Sequence, residues 1–167
     1  YKLLIENNIA VYSSHLPLDG HPEIGNNVSI AKILNLETEK FALIDQKLEF
    51  KSPVCSTKLS TKALEAELNT IFPDTKSIMF GPVHPKQILI CSGAVGHLIY
   101  ELPKQNIDTL ITGEIQQHMF GFAYEHSLNI FACGHYATEI FGVQNLSKIV
   151  ANKFHLPSTF LPEDCRF

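Results

Sequence analysis

The stretch Leu128-Asn129-Ile130-Phe131-Ala132-Cys133-Gly134-His135-Tyr136-Ala137-Thr138-Glu139 decides the fold class. Its first half, Leu128 to Cys133, is an apolar run of strand length. Its second half opens a segment of helical periodicity, with apolar residues at Ile140, Val143, Leu146, Ile149 and Val150. A strand that passes straight into a helix is the building unit of an α/β sheet, and ligands gather at the carboxyl ends of such strands. His135 and Glu139 stand there at i and i+4, so both side chains lie on one helix face, a turn apart. Imidazole nitrogen with carboxylate oxygen is an ordinary ligand pair for zinc, manganese or iron. The same spacing also occurs in plain surface pairs, so the rest of the chain has to separate the two readings.

Working outward, strand and helix alternate from Gln87 onward. Gln87 to Cys91 reads as a strand, with Ser92-Gly93-Ala94-Val95-Gly96 leading into a helix to about Leu102. Asp108 to Thr112 is a strand and Glu114 to Glu125 a helix. The last helix runs to about Lys153, and Ser158 to Leu161 is expected as an edge strand. Before Gln87 the rhythm differs. Ile9 to Ser13 is β-branched enough for a strand, and Asn26 or Asn27 is expected to cap a helix reaching about Leu36. Thr38 to Val54 alternates apolar and charged residues, as two half-exposed strands would. Ser60 starts a helix through Ile71 that Pro73-Asp74 ends, and Ser77 to Phe80 is a short strand before a turn at Gly81-Pro82. The expected fold is α/β and three-layered, with a mixed, largely parallel sheet.

The 167 residues suffice for one domain or two small lobes with a proper core. A net charge of -4 and the lack of a basic, aromatic-studded stretch argue against a nucleic-acid-binding module. The longest apolar runs are far too short to span a bilayer. Cys55, Cys91, Cys133 and Cys165 show no C-x-x-C spacing, and Cys91 and Cys133 sit inside apolar runs, where a small buried thiol is expected. With no signal-peptide pattern in the first residues, the expectation is a reduced, cytoplasmic protein. Tyr1 to Glu6 reads as the tail of a helix, so further residues are expected ahead of Tyr1.

Three loops after predicted strands carry ligand-type residues. The first holds His15, Asp19, His21 and Glu23, with Pro17 and Pro22 restricting the backbone on either side of Asp19. Asp, Gly and Pro are also the usual residues of an ordinary polar turn. The second is Thr112-Gly113-Glu114, with Gln117 and His118 a turn further on. Glu114 in a first helical turn is favoured by the dipole whatever else it does. The third is Gly134 to Glu139. A site exists only where such loops converge. Ser92 to Gly96 lacks the lysine of a P-loop and the third glycine of a dinucleotide fingerprint, which leaves tight strand-to-helix packing as the reason for its glycines. The chain has no G-x-S-x-G nucleophile elbow.

Taken in order, three blocks carry a family resemblance: His15-Leu16-Pro17-Leu18-Asp19-Gly20-His21-Pro22-Glu23-Ile24-Gly25-Asn26-Asn27, Asp108-Thr109-Leu110-Ile111-Thr112-Gly113-Glu114, and Gly134-His135-Tyr136-Ala137-Thr138-Glu139. The chain resembles the dinuclear metal-centre proteins known as the NGG-one-interacting-factor-three-like family, whose bacterial members are often called GTP cyclohydrolase I type 2 homologues. The resemblance implies two divalent metal ions (zinc, iron, manganese, nickel or magnesium). It makes Asp19, His135 and Glu139 metal ligands, with Glu139 bridging, and has His15 and Glu114 line the site as catalytic groups. It implies two similar, interlinked lobes: residues 1–37 with 107–167 as the metal-binding lobe, and 38–106 as the second. It further implies a homohexameric ring. The family draws more ligands from a His-His-Gly block ahead of the first block. Residues 1–167 contain none, so the centre is expected to be incomplete within them.

Two functions follow from the resemblance. One is a metal-dependent hydrolase acting on a nucleotide or related small molecule, in which paired ions about 3.5–4 Å apart activate water. The other is a non-catalytic scaffold or interaction factor in which metal binding is coupled to folding and assembly.

Overall fold

The computed structural model describes residues 1–163. A six-stranded sheet in the order β1-β2-β4-β5-β6-β3 forms its centre. The strands are β1 (Glu37–Asp45), β2 (Phe50–Ser56), β3 (Lys76–Met79), β4 (Ile88–Ala94), β5 (Thr109–Glu114) and β6 (Asn129–Ala132). The middle pairings, β4 with β5 and β5 with β6, are parallel, and β2–β4, β1–β2 and β3–β6 are antiparallel, so the sheet is mixed as expected but mostly antiparallel where a largely parallel one was expected. Helices α3 (Asn26–Ile33), α4 (Thr61–Ile71) and α6 (His135–Phe154) cover one face. A 3-10 stretch, Gly96–Glu101, and α5 (His118–Glu125) cover the other. Two short helices, α1 (Lys2–Glu6) and α2 (Leu16–Asp19), precede them.

The parallel strands read as unbroken apolar runs because both of their faces are buried. Alternate residues serve opposite layers. Ile88, Ile90, Ile111 and Phe131 pack with Ile30, Leu64 and Leu68, whereas Leu89, Leu110 and Ile130 pack with Ile99, Met119 and Ala123. Each such side chain contributes about 1.5–3 kcal/mol on leaving water. Residues 38–106 supply β2, β3, β4 and most of β1, and β5 and β6 follow from beyond 107, all within the one sheet. No helix among the described residues is long and apolar enough to cross a membrane.

Several local expectations are corrected. Ile9 to Ser13 forms no strand, and neither does Ser158 to Leu161. Ile9, Val11 and Tyr12 lie exposed, without the burial that would offset the cost of ordering a strand. Strands β3 and β4 are not neighbours across the Gly81-Pro82 turn. β3 runs to the far edge and pairs with β6, where Asn129 accepts from Gly81 N–H and donates to Pro82 O, holding the turn. Glu114 ends β5 instead of opening a helix, because β5 still pairs with β4 at Ala94 beyond an irregularity in register, and α5 begins only at His118. The segment after Val95 winds as a 3-10 helix. Asn26 and Asn27 do not cap α3; Gly25 is its N-cap, and both amides are spent on distant partners in the interior. Ser60 does cap α4, its hydroxyl accepting from Ala63 N–H. Cys55, Cys91 and Cys133 are buried free thiols, and Cys165 lies outside the described residues.

Candidate metal centre

The carboxyl ends of β4, β5 and β6 meet at three glycines. Gly134 N–H donates to Gly113 O at 2.8 Å, Thr112 Oγ1 donates to Gly93 O at 3.2 Å, and Gly93 N–H donates to Thr138 Oγ1 at 3.0 Å. A β-carbon on Gly113 would come within 2.5 Å of Gly93 O and 2.8 Å of His135 Cα. Only glycine lets the ends of β4, β5 and α6 approach this closely. Gly93 adopts a left-handed φ of +63°, and a β-carbon there would collide with Glu139 Oε1 and lie 3.1 Å from His135 Nε2. The backbone of β4 is thus pressed directly against the side chains that start α6.

Two helical turns present donors across that floor. His15 and Asp19 bracket α2, with Asp19 N–H donating to His15 O, so their side chains share one face. His135 and Glu139 do the same in the first turn of α6. A ring nitrogen of His15, an oxygen of Asp19 and an oxygen of Glu139 lie within 4.8 Å of one another. His135 Nε2 lies 3.3 Å from Glu139 Oε1, and its Nδ1 lies 3.5 Å from Glu114 Oε2. The five residues that the family resemblance assigns to the site therefore lie together, His15, Asp19 and Glu139 as one group, with His135 and then Glu114 joined to it through Glu139. His21 does not join them: its Nδ1 accepts from Glu23 and Ile24 N–H, closing an ordinary turn. His118 points elsewhere and stacks on Tyr100.

Histidines are the only basic groups that face the carboxylates of the cluster among the described residues. Among the described residues no lysine or arginine pairs with Asp19, Glu114 or Glu139. Burial pushes the Glu139 carboxyl above its ordinary value; His135 opposes the rise, and the Asp19 charge adds to it. Nitrogen and oxygen donors aimed at one point, with carboxylates short of cationic partners, fit a divalent ion. Asp19 is itself fixed from behind, its Oδ1 accepting from Asn26 Nδ2 at 2.7 Å and Ser92 Oγ at 3.4 Å. Sequence reading missed Gly93, Asn26, Ser92 and Thr138. The run Ser92 to Gly96 held a signal in its glycines, but at Gly93 the cause is approach to Glu139, and at Gly96, which has nothing within 4 Å, it is a left-handed φ of +53°.

Residues 1–164 match the Duf34/NIF3 (NGG1p interacting factor 3) family. The chain belongs to that family. A "GTP cyclohydrolase 1 type 2 homolog" of Pyrococcus horikoshii is 36% identical over 169 residues, covering 96% of this chain and 65% of that protein. A Yersinia pestis protein of the same name is 32% identical, covering 96% of this chain and 64% of its own length. The chain thus spans slightly under two thirds of these relatives. Among solved structures, the ybgI protein, described as of unknown function, superposes with a TM-score of 0.85 at 28% identity, over 98% of this chain and 66% of that one. A Thermus thermophilus protein gives 0.80 at 29% identity, over 99% and 66%. These superpositions show that the fold of this chain is shared with both structures over nearly its whole length.

Proposed function

We propose that this Duf34/NIF3 chain supplies part of a dinuclear divalent-metal centre and that the protein is a hydrolase acting on a nucleotide or related small molecule. The observation that carries the reading is the convergence of His15, Asp19 and Glu139 on one point, with His135 at the Glu139 carboxylate. Asp19 and Glu139 hold the metal with His135, which reaches the centre at the Glu139 carboxylate, while a ring nitrogen of His15 lies within 4.8 Å of both carboxylates. His15 and Glu114 flank them, both exposed, where a proton can pass between side chain and substrate. A divalent ion supplies Lewis acidity and lowers the pKa of water bound to it. The substrate class comes from the names of the relatives, which are called GTP cyclohydrolase 1 type 2 homologs.

The test is turnover of GTP by full-length protein stripped of metal and reloaded with zinc, manganese or iron. Metal-dependent loss of GTP that disappears in Glu139→Gln supports the hydrolase. Stoichiometric metal binding with no turnover of GTP or the other nucleoside triphosphates overturns it in favour of a metal-stabilised scaffold. One observation favours that second reading. Phe120 and Tyr124, 54% and 67% exposed, pack edge-on against Phe80 and form an aromatic ledge of the sort that a subunit interface, such as that of a homohexameric ring, covers.

A further inference from the structure

Asn26 is 3% exposed and Asn27 is fully buried, at the start of α3. A buried primary amide must satisfy both its donor and its acceptor side. Asn26 Nδ2 donates to Asp19 Oδ1 at 2.7 Å, and its Oδ1 accepts from Gly142 N–H at 2.6 Å. The carboxylate can only accept and the backbone N–H can only donate, so the two partners fix which way the amide faces. Asn26 therefore ties the carboxylate at the end of α2 to the backbone of α6, the helix that presents His135 and Glu139. Asn27 makes the matching tie on the sheet side, accepting from Ser92 N–H at 2.8 Å and donating to Ser52 Oγ at 2.8 Å. Ser92 in turn reaches Asp19 Oδ1.

Both protein donors to Asp19 go to Oδ1. We infer that Asn26 is a positioning residue for metal binding: it holds Asp19 by Oδ1, leaves Oδ2 for the ion, and sets the spacing between Asp19 and the α6 ligands. Gly142 belongs to the same device. A β-carbon there would come within 2.9 Å of Leu18 Cγ and 3.1 Å of Asn26 Oδ1, so the site of closest approach carries no side chain. Partners that orient a ligating group in this way commonly account for about 10–100-fold in metal affinity. The inference rests on the metal reading above.

The experiment is a chelator-competition titration of full-length protein with zinc and with cobalt(II), recording the visible cobalt spectrum. Asn26→Ala is expected to weaken zinc binding by about 10–100-fold and to alter the cobalt spectrum. Asn145→Ala is the matched control. Asn145 donates to Ile24 O and Ser29 Oγ, joining α6 to α3 and to the loop before it without touching Asp19, so its loss should leave affinity within about threefold of the parent. Where Asn26→Ala does not fold, Gly142→Ala takes its place: alanine is the better helix former, yet the added methyl displaces Asn26, and affinity should still fall. Unchanged affinity and cobalt spectrum in a folded Asn26→Ala, or in Gly142→Ala where Asn26→Ala does not fold, overturn the positioning role, as does an equal loss in Asn145→Ala. Absence of binding by the parent protein overturns the metal reading itself.

Discussion

Gly93 and Glu139 occupy space that only one side chain can fill. The α-carbon of Gly93, in a left-handed conformation at the end of β4, faces the Glu139 carboxylate so closely that a β-carbon would overlap Oε1. Gly93→Ala therefore meets two penalties. The left-handed conformation costs a non-glycine residue about 1–2 kcal/mol, and Glu139 has to turn away from His15 and Asp19. The expected outcome is a folded protein with a lowered denaturation midpoint and a weakened affinity for zinc. Urea unfolding and equilibrium dialysis check it, and a Gly93→Ala variant that retains parental affinity would contradict the geometry.

Glu114 faces Nδ1 of His135, whose Nε2 faces Glu139. A carboxylate at Nδ1 favours the tautomer that keeps the proton there and leaves Nε2 free to ligate. Glu114 is exposed, so removing its charge should change stability by no more than about 0.5 kcal/mol. Glu114→Gln is thus expected to melt with the parent while binding zinc several-fold more weakly. Isothermal titration beside a thermal melt separates the two effects; a large loss of stability with unchanged affinity would make Glu114 structural.

The pair His135–Glu139 was legible because it lies within a single helical turn, where sequence spacing fixes geometry; His15 and Asp19 read as part of a polar loop, and the short helix Leu16–Asp19 that brings them onto one face carried no periodicity to announce it. Gly93 and Asn26 were not legible, because their partners lie far along the chain. Asn26 looks like a helix cap by local chemistry, and it is the Asp19 carboxylate and the Gly142 N–H that draw its amide inward. The same contrast runs through the fold. The helix Thr61–Ile71 follows from Ser60 and its apolar periodicity, whereas the partner of β3 is chosen by a non-local pairing with β6 that no turn signal announces. Glu114 read as the first residue of a helix reaching Glu125, and continued pairing between β5 and β4 keeps it in the strand instead.

The raised pKa of Glu139 gives a pH dependence of definite sign. Burial is its main cause, with the Asp19 charge adding and His135 opposing. A folded-state pKa above the unfolded one means that this group's contribution to stability is present below the unfolded pKa. That contribution is lost as pH rises through the folded value. At neutral pH the metal-free protein therefore carries Glu139 as a destabilising charge. Glu139→Gln should leave the metal-free melting temperature at pH 7 equal to or above that of the parent, and abolish the rise that zinc produces. Parent and variant should converge as the pH is lowered below the ordinary carboxylate range. A metal-free variant that melts lower than the parent at pH 7 would show that Glu139 holds the fold together by hydrogen bonding instead.

Burial pushes the Cys91 thiol up to about 12, with the charges of Asp19 and Glu139 adding to it, and pushes Cys133 up to about 11. The thiolate is the reactive form, and at pH 8 both groups are almost wholly protonated as well as enclosed. Iodoacetamide should therefore leave the peptides carrying Cys91 and Cys133 unmodified in native protein and label both after denaturation. Cys91 lies one residue from Ser92 and two from Gly93 and feels the charges of Asp19 and Glu139, so its labelling also reports on the site. Labelling of Cys91 that rises in Gly93→Ala, while Cys133 stays protected, would show the end of β4 opening without loss of the sheet. Labelling of both at the same rate would mean that the substitution unfolds the whole domain, and that Gly93 matters to the fold before it matters to the metal.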